Sequence, residues 1–103
     1  MEIIMRLMTK ELAKQIPAIY TQEKVKDPLV YAKFFTPWSN WTWYVTEYDG
    51  IDTFFGLVIG FEKEFGYFSL SELESARGTF GMCIQREQTF KPRPLSEVLG
   101  KSL

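Results

Sequence analysis

Glu47, Asp49 and Asp52 put three carboxylates in one six-residue stretch. Closely spaced carboxylates are the oxygen donors that hard cations such as Mg²⁺ or Ca²⁺ require. The trio lacks the length and glycine spacing of a dedicated cation-binding loop, so it reads as an acidic cluster, a candidate cation site to which no metal is assigned. A salt bridge from Lys33 or Arg77 is the simpler partner. Glu62 and Glu64 precede Phe65-Gly66-Tyr67. A carboxyl group beside aromatic rings can be pushed up in pKa and serve as an acid or base, but a solvated turn with ordinary carboxylates accounts for the same residues. Lys33 alternates between Tyr31 and Phe35, a spacing that suits a lysine whose stem lies along an aromatic ring.

Several chemistries are excluded by composition. Histidine is absent and Cys83 is the single cysteine. Zinc sites of the common ligand types and Ser-His or Cys-His nucleophiles therefore have no ligands or base to work with. Cys83 reads as a packing residue, and the lack of a second cysteine fits a reducing compartment. Gly56, Gly60, Gly78 and Gly81 do not form a phosphate-cradling loop. No cofactor is expected. Apolar runs fall short of the roughly 18 residues a membrane span needs, and the start, with Glu2 and no basic leader, does not read as a signal peptide. The expectation is a cytoplasmic protein.

Fourteen of the seventeen Phe, Trp and Tyr residues lie between positions 31 and 68. Such side chains bring the largest burial per residue and the best stacking surfaces. Trp38, Tyr44 and Tyr48 are the candidate partner-binding residues, because Tyr44 and Tyr48 alternate with Thr42 and Thr46 rather than with aliphatic residues. Sheet aromatics also stack nucleic-acid bases, yet strands that do so usually interleave Arg and Lys, and here the neighbours are Thr and acids. The chain has a net charge of −1, but residues 47–76 carry −6 between two basic flanks. That acidic middle disfavours a phosphate backbone and suits a basic protein partner. A nucleic-acid surface, if present, would combine Arg77, Arg86, Lys91 and Arg93.

The elements that must position these groups form one domain over residues 1–103. Thr9 caps a short helix carrying Leu12, Ala13 and Ile16, which Pro17 stops. Residues 18–28 read as a polar loop. Alternation predicts strands over 29–35, 41–48, 51–59 and 65–70, and 80–87 suits one more. Asp49-Gly50 signals a two-residue type I′ hairpin. In that register Tyr48 faces Ile51, Glu47 faces Asp52 and Trp43 faces Gly56. Trp41, Trp43, Val45, Phe54 and Val58 then share the core face, while Thr42, Tyr44, Thr46, Tyr48, Phe55 and Leu57 share the other. Ser71 with Glu74 reads as a capping box for a second helix that Gly78 ends, and residues 95–99 as a last helical turn. The predicted fold is α+β, an antiparallel meander of three to five strands with two or three short helices packed on one face.

Val30-Tyr-Ala-Lys-Phe-Phe-Thr-Pro37 running into Ser39-Asn-Trp-Thr-Trp-Tyr44, then Asp52-Thr-Phe-Phe-Gly-Leu-Val58, then Glu64-Phe-Gly-Tyr-Phe-Ser-Leu70 with Glu72-Leu73, resemble the domain of unknown function 2958 family. The resemblance runs from about Leu7 to Val98. It implies a bacterial mobile-element setting (plasmids, integrative elements, phages). It implies no activity and supplies no catalytic residues. The expected function is a non-enzymatic interaction module that binds a protein or regulates a nucleic-acid transaction. Two alternatives stand beside it: a small carboxylate-dependent, metal-assisted hydrolase or nuclease, and a direct single-strand nucleic-acid binder.

Overall fold

The alternation between Ala32 and Ser69 becomes four consecutive antiparallel strands. The computed structural model describes residues 6–100. Along the chain come α1 (Lys10–Gln15), β1 (Leu29–Val30), β2 (Ala32–Phe35), β3 (Thr42–Tyr48), β4 (Thr53–Ile59) and β5 (Lys63–Ser69). Then follow α2 (Leu70–Ser75), a 3-10 turn at Thr79–Gly81, β6 (Gln85–Arg86), β7 (Arg93–Pro94) and α3 (Leu95–Leu99). The main sheet has the order β5-β4-β3-β2-β6, and β1 pairs with β7 in a separate two-stranded ribbon. This is the expected α+β meander. The predicted strand over 29–35 divides at Tyr31, because Leu29 and Val30 turn away to pair with Pro94 and Arg93.

Two clusters of buried side chains hold the sheet. On one face, Phe34, Val45 and Phe54 are fully buried with Trp43, Ile16 of the α1 end and Leu73 of α2. Phe34 meets Phe54 edge-on at 5.4 Å, and Tyr48 stacks on Phe54 at 4.5 Å. On the opposite face, α3 lays Leu95 over Val30, Tyr44 and Leu57. The two predicted helices share the first face, and α3 adds cover on the second.

A β-bulge at Thr46 sets the parity of the central hairpin. Val45 pairs with Gly56, but Glu47 pairs with Phe55 and Tyr48 with Phe54, so Thr46 is the extra residue. An extra residue reverses which side every later side chain takes. Trp43 and Val45 keep their expected face, whereas Tyr48 crosses over to join them. The strands approach so closely there that a Cβ on Gly56 would stand 1.8 Å from the Tyr44 carbonyl oxygen. Trp43 faces Val58 rather than Gly56.

The hairpin turn also differs from the two-residue form. The loop covers Asp49 to Asp52, with Gly50 at φ 82. The Asp49 carboxylate accepts from the amides of Ile51, Asp52 and Thr53. A side chain that satisfies three consecutive N–H groups stabilises a wider loop than the dipeptide alone predicts. Similarly, α2 is capped by Ser69, whose hydroxyl accepts from the Glu72 amide, and not by Ser71. Glu74 does not close a capping box; it accepts from the Leu7 amide at 2.8 Å. Gly78 lies beyond the helix, which ends at Ser75. The α1 cap is as expected, with the Thr9 hydroxyl accepting from the Leu12 amide.

Candidate functional site

Glu47, Asp49 and Asp52 diverge. Since Phe55 rather than Asp52 is paired with Glu47, the predicted cross-strand carboxylate pair does not form. Asp49 serves the loop described above. Its carboxyl lies below the usual carboxylate range, first because of the Ile51 amide and then the Asp52 amide. Asp52 accepts from the Ser69 hydroxyl at 2.7 Å and from the Ser71 amide at 2.8 Å, tying the loop to the start of α2. Those bonds lower its pKa too, the Ser69 hydroxyl most. Among the described residues no group of three or more His, Cys, Asp or Glu is placed to hold a metal ion. Glu62 and Glu64 lie at the far end of the sheet, bordering a depression with Trp41 and Phe61.

Tyr44 and Tyr48, expected to offer an exposed face, are 9% and 6% exposed. Tyr44 lies under α3 with Leu95, and Tyr48 has been turned into the first core by the bulge. Burial raises both phenols above their ordinary pKa; Glu87 adds to the effect at Tyr44 and Asp49 at Tyr48. Lys33 projects its ammonium over the Tyr44 ring, 5.9 Å from the centroid. Of the three candidate partner residues only Trp38 borders open space. Its half-buried ring covers Gly78, in a groove shared with Trp41, Trp43 and Phe68. Three of the four candidate basic residues are occupied individually, Arg77 with the Glu74 and Ala76 carbonyls, Arg86 with Gln88 and Arg93 over Phe90, while Lys91 is exposed.

The residue that builds a site is Glu47, by a route the sequence did not show. It is 3% exposed. Its carboxylate accepts from the Tyr20 amide at 3.0 Å and the Gln22 amide at 2.7 Å. Gln22 completes a clamp: its side-chain amide donates to the carbonyl of the bulged Thr46 at 2.7 Å and to the Leu29 carbonyl, and accepts from the Leu29 amide. The 18–28 loop is thereby fastened to the bulge. Tyr20 is held at φ 77, a left-handed conformation that is costly for a bulky side chain. The Tyr20 ring is 66% exposed.

Between that loop and the β4–β5 surface lies a cleft of about 280 Å³ lined by Tyr20, Gln22, Val25, Phe55, Phe65 and Tyr67, with Glu47 and Thr46 at its base. Phe55 stacks beside Phe65 at 6.2 Å and meets Tyr67 edge-on at 5.0 Å. Phe65 and Tyr67 remain about half exposed. They sit on β5, which ends the main sheet. The Tyr67 phenol is raised above its ordinary pKa, first by hydrogen bonding to Tyr20, then by desolvation and the negative charges near it, Glu47 among them.

The sequence reading missed this cleft because its walls come from four separate segments. One signal was present. Phe65 and Tyr67 alternate with Glu64 and Gly66, which puts two aromatics on one side of an end strand, where they stay about half exposed.

No helix among the described residues is long and apolar enough to cross a membrane. Residues 3–101 match the family described as a protein of unknown function, DUF2958. No curated protein and no solved structure matches the chain.

Proposed function

The chain belongs to the DUF2958 family of proteins of unknown function, and from its geometry we propose that it is a non-enzymatic protein-binding module of a bacterial mobile element, acting in the cytoplasm. One observation carries this reading. Tyr20, Phe65 and Tyr67 are each more than half exposed around one cleft beside an end strand. Clustered exposed aromatics are anchors of protein interfaces, and a strand edge that is unpaired among the described residues offers main-chain hydrogen bonds to an incoming segment. The carboxylates that would serve a hydrolase are engaged with amides and hydroxyls, which favours binding over catalysis.

A photo-reactive phenylalanine analogue placed at Tyr67 tests the reading in the native host. The expected result is one or a few protein adducts, lost when Phe65→Ala is added and absent when the analogue replaces Phe80, which is exposed in the 3-10 turn and does not line the cleft. Adducts equal at the two positions would refute it.

A further inference from the structure

We propose that the cleft is a cation-accepting aromatic cage that takes a lysine or arginine side chain of a partner polypeptide. This rests on the protein-binding reading and names its anchor. Four rings, Tyr20, Phe55, Phe65 and Tyr67, line the cavity. Aromatic faces carry negative quadrupolar potential, and cations held over them gain about 0.5–2 kcal/mol. At the base is Glu47, whose hydrogen-bond partners are two backbone amides. Amides orient a carboxylate but leave its charge uncompensated, and an uncompensated buried charge is costly. A cation entering the cleft would supply the missing counter-charge.

The lining carries Lys26 against Glu23 and Glu47, a net charge of −1. Lys26 does not occupy the rings: among the described residues the cation–π contacts are Lys33 with Tyr44 and Arg93 with Phe90, both elsewhere. A neutral apolar side chain would fill the same volume but would bury itself beside the carboxylate without compensating it. The source is a polypeptide because the cleft opens along β5. Residues flanking the bound side chain can pair with the outer edge of that strand, which no strand among the described residues occupies and which a small free cation cannot use.

The test uses the full chain, labelled with ¹⁵N, titrated with four probes. These are a capped pentapeptide with central arginine, the same peptide with citrulline, the same peptide with norleucine, and choline. The expected result is saturable shifts of the Tyr20, Gln22 and Tyr67 amides with the arginine peptide, with at least tenfold weaker binding of the citrulline and norleucine peptides and of choline. Tyr67→Ala should weaken the arginine peptide at least fivefold while its thermal midpoint stays within a degree or two of the parent protein. Phe65→Ala serves as the second variant should Tyr67→Ala fold poorly. Equal binding of arginine, citrulline and norleucine peptides would overturn the cage and leave the protein-binding reading standing. Choline binding as tightly as the arginine peptide would overturn the polypeptide source. No shift of these amides with any probe would overturn the cage outright.

Discussion

Replacing Glu47 with alanine should loosen the cleft and cost about 2 kcal/mol. The carboxylate accepts two amides, those of Tyr20 and Gln22. Hydrogen bonds to a charged group contribute about 1.5–3 kcal/mol each. The lower end applies, because Tyr20 is largely exposed and water can replace part of what its amide loses. Two bonds at that end give about 3 kcal/mol. Against this stands Tyr20 at φ 77, a conformation costing about 1–2 kcal/mol for a residue with a Cβ. Once released, the loop relaxes and recovers about 1 kcal/mol of that strain. The remainder, about 2 kcal/mol, corresponds to a fall of roughly 10 °C in thermal midpoint for a domain of this size. Urea melts measure the loss directly. Glu47→Gln, which keeps one acceptor, should fall between the parent and alanine. Hydrogen exchange gives the local readout: the Tyr20 and Gln22 amides should lose protection while those of β3 and β4 keep theirs. A Glu47→Ala protein that melts within about 0.5 kcal/mol of the parent, with those two amides still protected, would refute the clamp.

Three further outcomes follow from the same geometry. Ser69→Ala should destabilise by about 1 kcal/mol through loss of the α2 cap, while Ser71→Ala, whose hydroxyl reaches the Ser69 hydroxyl and Asp52 but caps no helix amide, should cost less than half of that; equal losses in denaturant melts would misplace the cap. Gly78→Ala would put a Cβ 2.0 Å from the Trp38 ring, so the indole must move, at about 1–3 kcal/mol and with a red shift in tryptophan emission; an unchanged spectrum and melt would show the ring is not seated there. Asp27, Asp49 and Asp52 are held below the ordinary aspartate value, chiefly by Ser96, the Ile51 amide and Ser69 respectively. Their stabilisation is present above the unfolded value of about 3.9 and disappears as pH falls through the lower folded values. Midpoints measured from pH 6 down to pH 2 should decline most steeply below about pH 4, with a shallower decline for the Asp49→Asn, Asp52→Asn protein; the same slope in both would contradict this.

Periodicity revealed what depends on local repetition. The strands between Ala32 and Ser69, the α1 cap and the shared face of Trp41, Trp43, Val45 and Phe54 follow from alternation and spacing, and the structure has them, whereas the strand expected over 80–87 shrinks to Gln85–Arg86 behind a 3-10 turn at Thr79–Gly81. Beyond Val45 the two-residue period misleads, because the bulge at Thr46 adds a residue that alternation has no means to register. Tyr48 is the casualty, a core residue that pattern alone assigns to the other side. Tyr44 fails for a different reason. It occupies its expected face, but α3, fifty residues later, covers it. The ribbon of β1 with β7 is two residues long on each strand, too short for any pattern. As for the cleft, Gln22 and Glu47 are ordinary polar residues in sequence; they matter only because a bulge leaves the Thr46 carbonyl facing a loop that needs anchoring.

Translation makes a chain from one end, which gives the second core a timetable. Residues 32–69 can pair as soon as they are made, α1 precedes them, and Leu73 and Ile84 follow shortly, so the first face can close before α3 is made. Val30, Tyr44 and Leu57 must wait for Leu95, which is fully buried against them and is synthesised after every strand of the main sheet. Asp27 then fastens the new helix through the Ser96 amide at 2.9 Å. A nascent chain stopped before that point would carry a finished sheet with one greasy, uncovered back, the kind of surface that chaperones and proteases recognise. In the order of synthesis α3 thus closes the second face only after the strands it covers have been made.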